Sequence, residues 1–155
     1  SHDVEGILGG PVDLAFVDGL HHFEVALADV LAIERHAHPG TVVLVHDVVP
    51  IDAATSTRER STVVWSGDVW KAVILLRRHR PDLNVTILDV SPTGMAVVTG
   101  FGQRIDTEGR NDWFDDAVSD LMSATHADLV AMGPEALDPV ACTPRALDSC
   151  LGNRR

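Results

Sequence analysis

The sequence predicts an open α/β sheet, mostly parallel, that ends in an antiparallel hairpin and is followed by a helical tail. Three observations carry this reading. Two apolar runs, Leu14 to Val17 and Thr41 to Val45, flank a segment with helical spacing, which is the pattern of a strand, a crossover helix and a second strand. Each run stops at polar groups, Asp18-Gly19 with His21 and His22 after the first, His46-Asp47 after the second. Two later runs, Val85 to Val90 and Met95 to Thr99, are joined only by Ser-Pro-Thr-Gly, a link too short for a crossover and suited to a hairpin.

The elements follow in order. Residues 3–10 read as the end of a helix closed by Gly9-Gly10 before Pro11. Leu14 to Val17 lacks alternation, which fits a strand buried on both faces. From Phe23, apolar side chains recur at Leu27, Val30 and Leu31, one stripe of a helix, with Glu24, Asp29 and Glu34 on the other side. Pro39-Gly40 turns the chain, and His36 and His38 read as surface residues at the helix end. Thr41 to Val45 is a β-branched strand.

Residues 48–67 form a connection long enough to suggest a lid or binding loop. Ser66 or Asp68 is placed to cap the next helix, Val69 to Arg80, whose apolar face uses Trp70, Val73, Ile74 and Leu76 and whose end is basic. After the hairpin, Gly100-Phe101-Gly102 closes the compact part. Asn111 or Asp112 opens an amphipathic helix with Phe114, Ala117, Val118, Leu121 and Met122 on one face. The expected organisation is a domain over residues 1–102 and a helical tail over 103–155.

Bulk properties narrow the function. The chain has 155 residues, is 45% hydrophobic and carries a net charge of -11, so it can build a core and is poorly suited to nucleic acid or anionic membrane surfaces. No apolar run approaches the roughly 20 residues of a membrane span. The first residues lack the basic and apolar regions of a signal peptide. Cys142 and Cys150 fit neither a zinc pair nor a redox motif and read as reduced thiols, so a cytoplasmic protein is expected. The sequence holds no Gly-x-Ser-x-Gly elbow, no phosphate-binding Walker loop and no His-Glu-x-x-His.

Parallel strands present their carboxyl ends to one rim, where open α/β sheets bind ligands, so Asp18, His21 or His22, His46 and Asp47 should converge there. Each has a plainer alternative. Asp18 suits a strand-end turn before Gly19, Asp47 a loop cap, and either histidine the start of the Phe23 helix. His46 lies next to Asp47, and strand alternation would point the two apart. Arg58, Arg60 and Trp65 could close over a substrate, an anionic one in the case of the arginines, or lie on a solvated surface.

The order of elements, with Asp-Leu-Ala-Phe-Val-Asp-Gly-Leu-His at one strand end and Pro-Gly-Thr-Val-Val-Leu-Val-His-Asp at the next, resembles the C-terminal half of class I S-adenosylmethionine-dependent methyltransferases. The likeness spans roughly residues 5–101 and is nearest to small-molecule O-methyltransferases whose strand ends in Asp-Gly-x-His. It implies a Rossmann-like sheet whose final strands form an antiparallel hairpin. The family's glycine-rich loop after its first strand, and its acidic residue after the second, have no counterpart, so the chain corresponds to the fold without its N-terminal strands.

The resemblance implies a methyl transfer from S-adenosylmethionine to an oxygen of a small molecule. Asp18, Gly19 and Leu20 would touch the cofactor. Asp18, Asp47 and His46 would hold a divalent cation, Mg²⁺ foremost, while Asp18 and His21 would act on the acceptor proton and Arg58, Arg60 and Trp65 would form a lid. A strand that is central in the family becomes an edge, and exposed edges pair. A homodimer, a partner along that edge, or a cover by the Phe114 to Met122 helix is therefore expected. The other reading is a non-catalytic methyltransferase-like module that self-associates through that edge.

Overall fold

A computed structural model describes residues 8–102 and 112–152. The helix end expected over residues 3–10 falls largely outside them, as does Asn111. The chain forms β1 (Val12–Val17), α1 (Phe23–Glu34), β2 (Ala37–His46), α2 (Trp70–His79), β3 (Asn84–Asp89) and β4 (Met95–Thr99). The tail adds α3 (Phe114–Leu121), α4 (His126–Met132), a 3-10 turn (Pro134–Ala136), β5 (Val140–Ala141) and α5 (Pro144–Leu151). The sheet order is β1-β2-β4-β3-β5. β1 pairs parallel to β2 and β3 parallel to β5, while β4 runs antiparallel to both neighbours. This is the open, mostly parallel α/β sheet with an antiparallel hairpin that the sequence predicts.

The register fixes the rim. Val17 stands opposite Val45, so Asp18 follows β1 beside the His46 end of β2. His46 in turn faces Met95 at the start of β4, which brings the β3–β4 turn to the same end of the sheet.

Alternation on β2 divides the core. Val43 and Val45 join Phe23, Leu27, Val30, Val73, Leu76, Ile87, Ala96 and Val98 in a large cluster under α1 and α2. Val42, Leu88 and Val97 form a smaller one on the opposite face, packed by Ala146 and Cys150 of α5. α2 is buried almost all round, Lys71 included, rather than along a single stripe. At its end Arg80 is buried against Glu34, with Nη2 donating to Oε1 at 2.6 Å, and against Asp82 at 2.8 Å. Burial opposes this charge, but Asp82 and Glu34 outweigh it and push the guanidinium pKa up.

Several expectations change. β1 is not buried on both faces: Leu14 and Phe16 are 63% and 56% exposed. Among the described residues the helix on that face is α5, and it packs over Val42, Leu88 and Val97, away from Leu14 and Phe16 of β1. β1 is the sheet edge, as expected, but α3 does not cover it. Trp113 stacks on His79 at 4.4 Å and the carbonyl of Met122 accepts from Lys71 Nζ, which seats α3 beside α2. The tail extends the opposite edge instead, through β5 on β3.

α1 stops at Glu34 with Arg35 as its C-cap, and His36 follows directly, its N–H donating to the Ile33 carbonyl at 2.9 Å, so His36 lies at the helix end as expected and His38 does not. His38 belongs to β2, where its Nε2 lies 2.9 Å from Asp13 Oδ1. Pro39-Gly40 interrupts the β1–β2 register, which jumps from Val12–Ala37 to Leu14–Val42, and Thr41 Oγ1 bridges the gap by donating to the Val12 carbonyl.

Candidate functional site

The carboxyl ends of β1 and β2 bring Asp18, His21, His46 and Asp47 together. His21 Nε2 lies 3.6 Å from Asp18 Oδ1 and 3.2 Å from Asp47 Oδ2. His46 Nδ1 lies 3.5 Å from Asp18 Oδ1 and 3.0 Å from Asp47 Oδ2. Two imidazoles thus flank two carboxylate oxygens.

Consecutive strand residues should face opposite ways, yet His46 and Asp47 share this site. The cause is the backbone: Asp47 has φ +63°, in the left-handed region that few residues other than glycine adopt. Leaving the strand at that point swings the Asp47 carboxylate back over the rim. The conformation is held from the hairpin turn, where buried Thr93 donates its hydroxyl to Asp47 Oδ1 and its carbonyl accepts from Val49 N at 2.7 Å. Oδ1 is therefore occupied, and Oδ2 is the oxygen presented to the histidines. Strained backbone of this kind concentrates at functional sites.

His21 and His22 divide their work. His21 Nδ1–H donates to the Trp65 carbonyl at 2.8 Å, and its ring stacks on the Trp65 indole at 4.8 Å. A carbonyl oxygen only accepts, so the Nδ1 proton is fixed and Nε2 is turned to the carboxylates. His22 faces away: its Nε2 donates to the Arg58 carbonyl at 3.2 Å. Both histidines thereby hold the 48–67 connection against the start of α1.

That connection is anchored by charge. Asp68 is buried and accepts from Phe23 N at 3.0 Å, from Arg58 Nη1 at 2.8 Å and from Lys71 Nζ at 3.1 Å. It caps α1 from a distance rather than α2, whose N-cap position is taken by Val69 with no side-chain bond. Ser66 caps nothing either, since its hydroxyl donates to the Thr55 carbonyl.

Arg58 is a correction to the lid reading. Its Nη2 donates to Glu24 Oε1 at 2.6 Å and its Nη1 to Asp68, so this guanidinium braces the loop and does not line the rim cleft. The Glu24 hydrogen bonds push the Arg58 pKa up. Burial opposes ionisation of Glu24, but Arg58 outweighs it and holds that carboxyl below its ordinary value.

Above the four groups lies an open cleft of about 520 Å³, lined by Gly19, Leu20, Arg60, Val64, Trp65 and Pro92 among others. The size suits a small molecule. Arg60 Nη2 donates to the Val63 carbonyl at 3.0 Å, and Val63 itself is 90% exposed. Asp18, Gly19, Leu20, His21, His46, Asp47, Arg60 and Trp65 thus share one cleft, and Arg58 stands apart.

Asp18, His46 and Asp47 each offer one donor atom, all within 4.8 Å of one another, and this is a set that could hold a metal ion. Bonds of about 2.1 Å to a single ion put neighbouring donors about 3.0–3.4 Å apart, so the 3.0 and 3.5 Å separations around His46 Nδ1 are close to that spacing, and the 3.0 Å contact is a hydrogen bond between His46 and Asp47 that a bound ion would replace.

Thr93 and Gly67 are contributors that sequence reasoning missed, and Asp68, read as a cap for the following helix, caps α1 instead. Thr93 sits in a turn read only as a hairpin link. Gly67 has φ +58°, and a Cβ there would lie 1.9 Å from the His21 carbonyl oxygen, so glycine lets the loop press on His21. A glycine at the end of the 48–67 connection was the signal available.

The sequence model of a family described as a methyltransferase domain matches residues 1–48. No curated protein and no solved structure matches the chain. The matched segment ends just beyond Asp47 and contains Asp18, His21, His46 and Asp47. It supports a methyltransferase domain in general terms, a class that uses S-adenosylmethionine.

Replacing Gly67 with alanine should cost about 2 kcal/mol or more, since left-handed backbone costs roughly 1–3 kcal/mol at a residue bearing a Cβ and the clash here is with backbone. Urea denaturation would read the loss, and the His21 ring resonances should shift together with the Trp65 indole. Unchanged resonances would contradict the seating of His21 by this loop.

Proposed function

We propose that this chain forms the acceptor side of an S-adenosylmethionine-dependent methyltransferase site acting on an oxygen of a small molecule. The observation that carries the reading is the meeting of Asp18, His21, His46 and Asp47 under one cleft at the carboxyl ends of β1 and β2. The family match over these same residues supports it.

The donor set fits a divalent cation: Asp18 Oδ1, Asp47 Oδ2 and His46 Nδ1 are the atoms that would hold it. For the methyl donor, Asp18, Gly19 and Leu20 offer a strand-end wall, and the position a Cβ would take at Gly19 meets no atom within 4 Å. These residues fit one side of such a cofactor; the sequence contains no glycine-rich loop for the other. When bound, the cofactor supplies a methyl group already activated on a sulfonium, and the cation favours the ionised form of the acceptor oxygen.

The chain's own residues then position and deprotonate. His21 Nδ1–H is held by the Trp65 carbonyl and Nε2 lies 3.2 Å from Asp47 Oδ2, so Nε2 would be left to accept the proton of the acceptor hydroxyl once that carboxylate oxygen is taken up by the cation. Trp65, Val64, Leu20 and Pro92 give the acceptor an apolar seat, and Arg60 stands at its margin. Holding acceptor and methyl group in line is the larger part of such catalysis.

Isothermal titration tests the reading. Wild-type protein should bind a divalent cation, and Asp18→Asn and Asp47→Asn should each weaken it by about tenfold or more, the scale expected when a ligand or its support is removed. Unaltered affinity in both variants would remove the cation from this site. Binding of S-adenosylmethionine by the chain would show that the Asp18-Gly19-Leu20 wall suffices.

The exposed edge of β1 favours a second reading, a module that associates through this strand. Leu14 and Phe16 lie exposed on it, and Asp13 is the one charged residue of the strand. Light scattering should then show a dimer that Phe16→Lys converts to monomer. A wild-type chain that stays monomeric at high concentration would end that reading.

A further inference from the structure

We infer that the rim centre takes a first-row transition ion in preference to Mg²⁺, with His46 Nδ1 as the donor that sets the choice. The inference rests on the cation reading proposed above and goes beyond it in naming the class of ion.

Asp47 Oδ1 is occupied by the Thr93 hydroxyl, which leaves Oδ2 as a single ligating oxygen. Asp18 turns Oδ1 to both histidines. A bidentate, all-oxygen cradle is therefore not what the chain presents. The third donor in mutual reach is an imidazole nitrogen, His46 Nδ1, 3.0 Å from Asp47 Oδ2.

That nitrogen is aimed by structure rather than by chance. His46 closes β2 with its backbone paired to Met95, its ring rests at 6.2 Å from the Phe16 ring, and the left-handed turn at Asp47 brings the neighbouring carboxylate to it. The Asp47 carboxylate is itself oriented from outside by Thr93, the kind of supporting bond that ligating groups need.

Donor chemistry then decides. Mg²⁺ is a hard ion that asks for near-ideal octahedral oxygen and gives up its water reluctantly. Imidazole suits Zn²⁺, Fe²⁺, Ni²⁺ and Cu²⁺, and nitrogen with carboxylate oxygen favours the transition series over Mg²⁺. An oxygen donor at position 46 would weaken that preference. His21 Nε2, 3.2 Å from Asp47 Oδ2, lies beside the three donors.

The test compares ions, not activity. Co²⁺ titrated into the whole chain should give visible absorption bands, with Mg²⁺ displacing it only at a large excess. In His46→Glu the Co²⁺-to-Mg²⁺ affinity ratio should fall by about tenfold or more, the scale for a changed ligand. Pulsed electron paramagnetic resonance on Cu²⁺-loaded wild-type protein should show a directly bound imidazole nitrogen, a readout that does not depend on the variant folding. An unchanged ratio in a folded His46→Glu variant, or a bound Cu²⁺ without nitrogen coupling, would overturn the inference and leave the cation reading standing. If neither Co²⁺ nor Mg²⁺ binds the wild-type chain, the cation reading falls and this inference with it.

Discussion

The site depends on one backbone conformation. Asp47 leaves β2 in the left-handed region, and Thr93 holds its carboxylate from the neighbouring hairpin turn. Without that departure, strand alternation would send His46 and Asp47 to opposite faces of the sheet. With it, two adjacent residues of β2 meet Asp18 from β1, and three donors from two strands close on one point. The hairpin is therefore more than an edge to the sheet. Its turn, pressed on Val49 so closely that a Cβ at Gly94 would lie 2.4 Å from that side chain, is what orients the deepest carboxylate of the rim.

A second support comes from the long connection between β2 and α2. Asp68 serves at once as a distant cap for α1 and as the partner of Arg58 and Lys71, while Glu24 completes the clamp on Arg58. The clamp fixes the end of the loop that carries Trp65, and Trp65 in turn fixes His21. A charge network that does not line the cleft thus helps to set the direction of a ring inside it. Lys71, buried between Phe23 and Trp70, is tolerable there because Asp68 and the Met122 carbonyl accept its protons.

Much of this was legible in the sequence. Apolar spacing placed α1 and α2, β-branched runs placed β2, and the short Ser-Pro-Thr-Gly link gave the hairpin its direction. Strand-end polarity gave the rim and its four principal residues, because a parallel sheet turns that pattern into a place. What escaped has physical reasons. A period of two says nothing about a left-handed exit, so the shared orientation of His46 and Asp47 could not be read. Arg58 carries the same charge as Arg60, and only tertiary contact shows that it is spent on Glu24 and Asp68. The exposure of the outer face of β1 is not readable from the sequence, because an unbroken apolar run looks the same whether or not a helix covers it. Thr93 gave no signal, since a threonine in a turn is ordinary until its hydroxyl meets a buried carboxylate.

The most direct test of the central claim is the position of a bound ion. Crystals of the chain soaked in Mn²⁺ and measured for anomalous scattering should show a peak within about 2.3 Å of Asp18 Oδ1, Asp47 Oδ2 and His46 Nδ1 together, a normal bond length for such ligands. A structure in which Asp47 lies in extended conformation with its side chain turned from His46, and no anomalous density at the rim, would contradict the account.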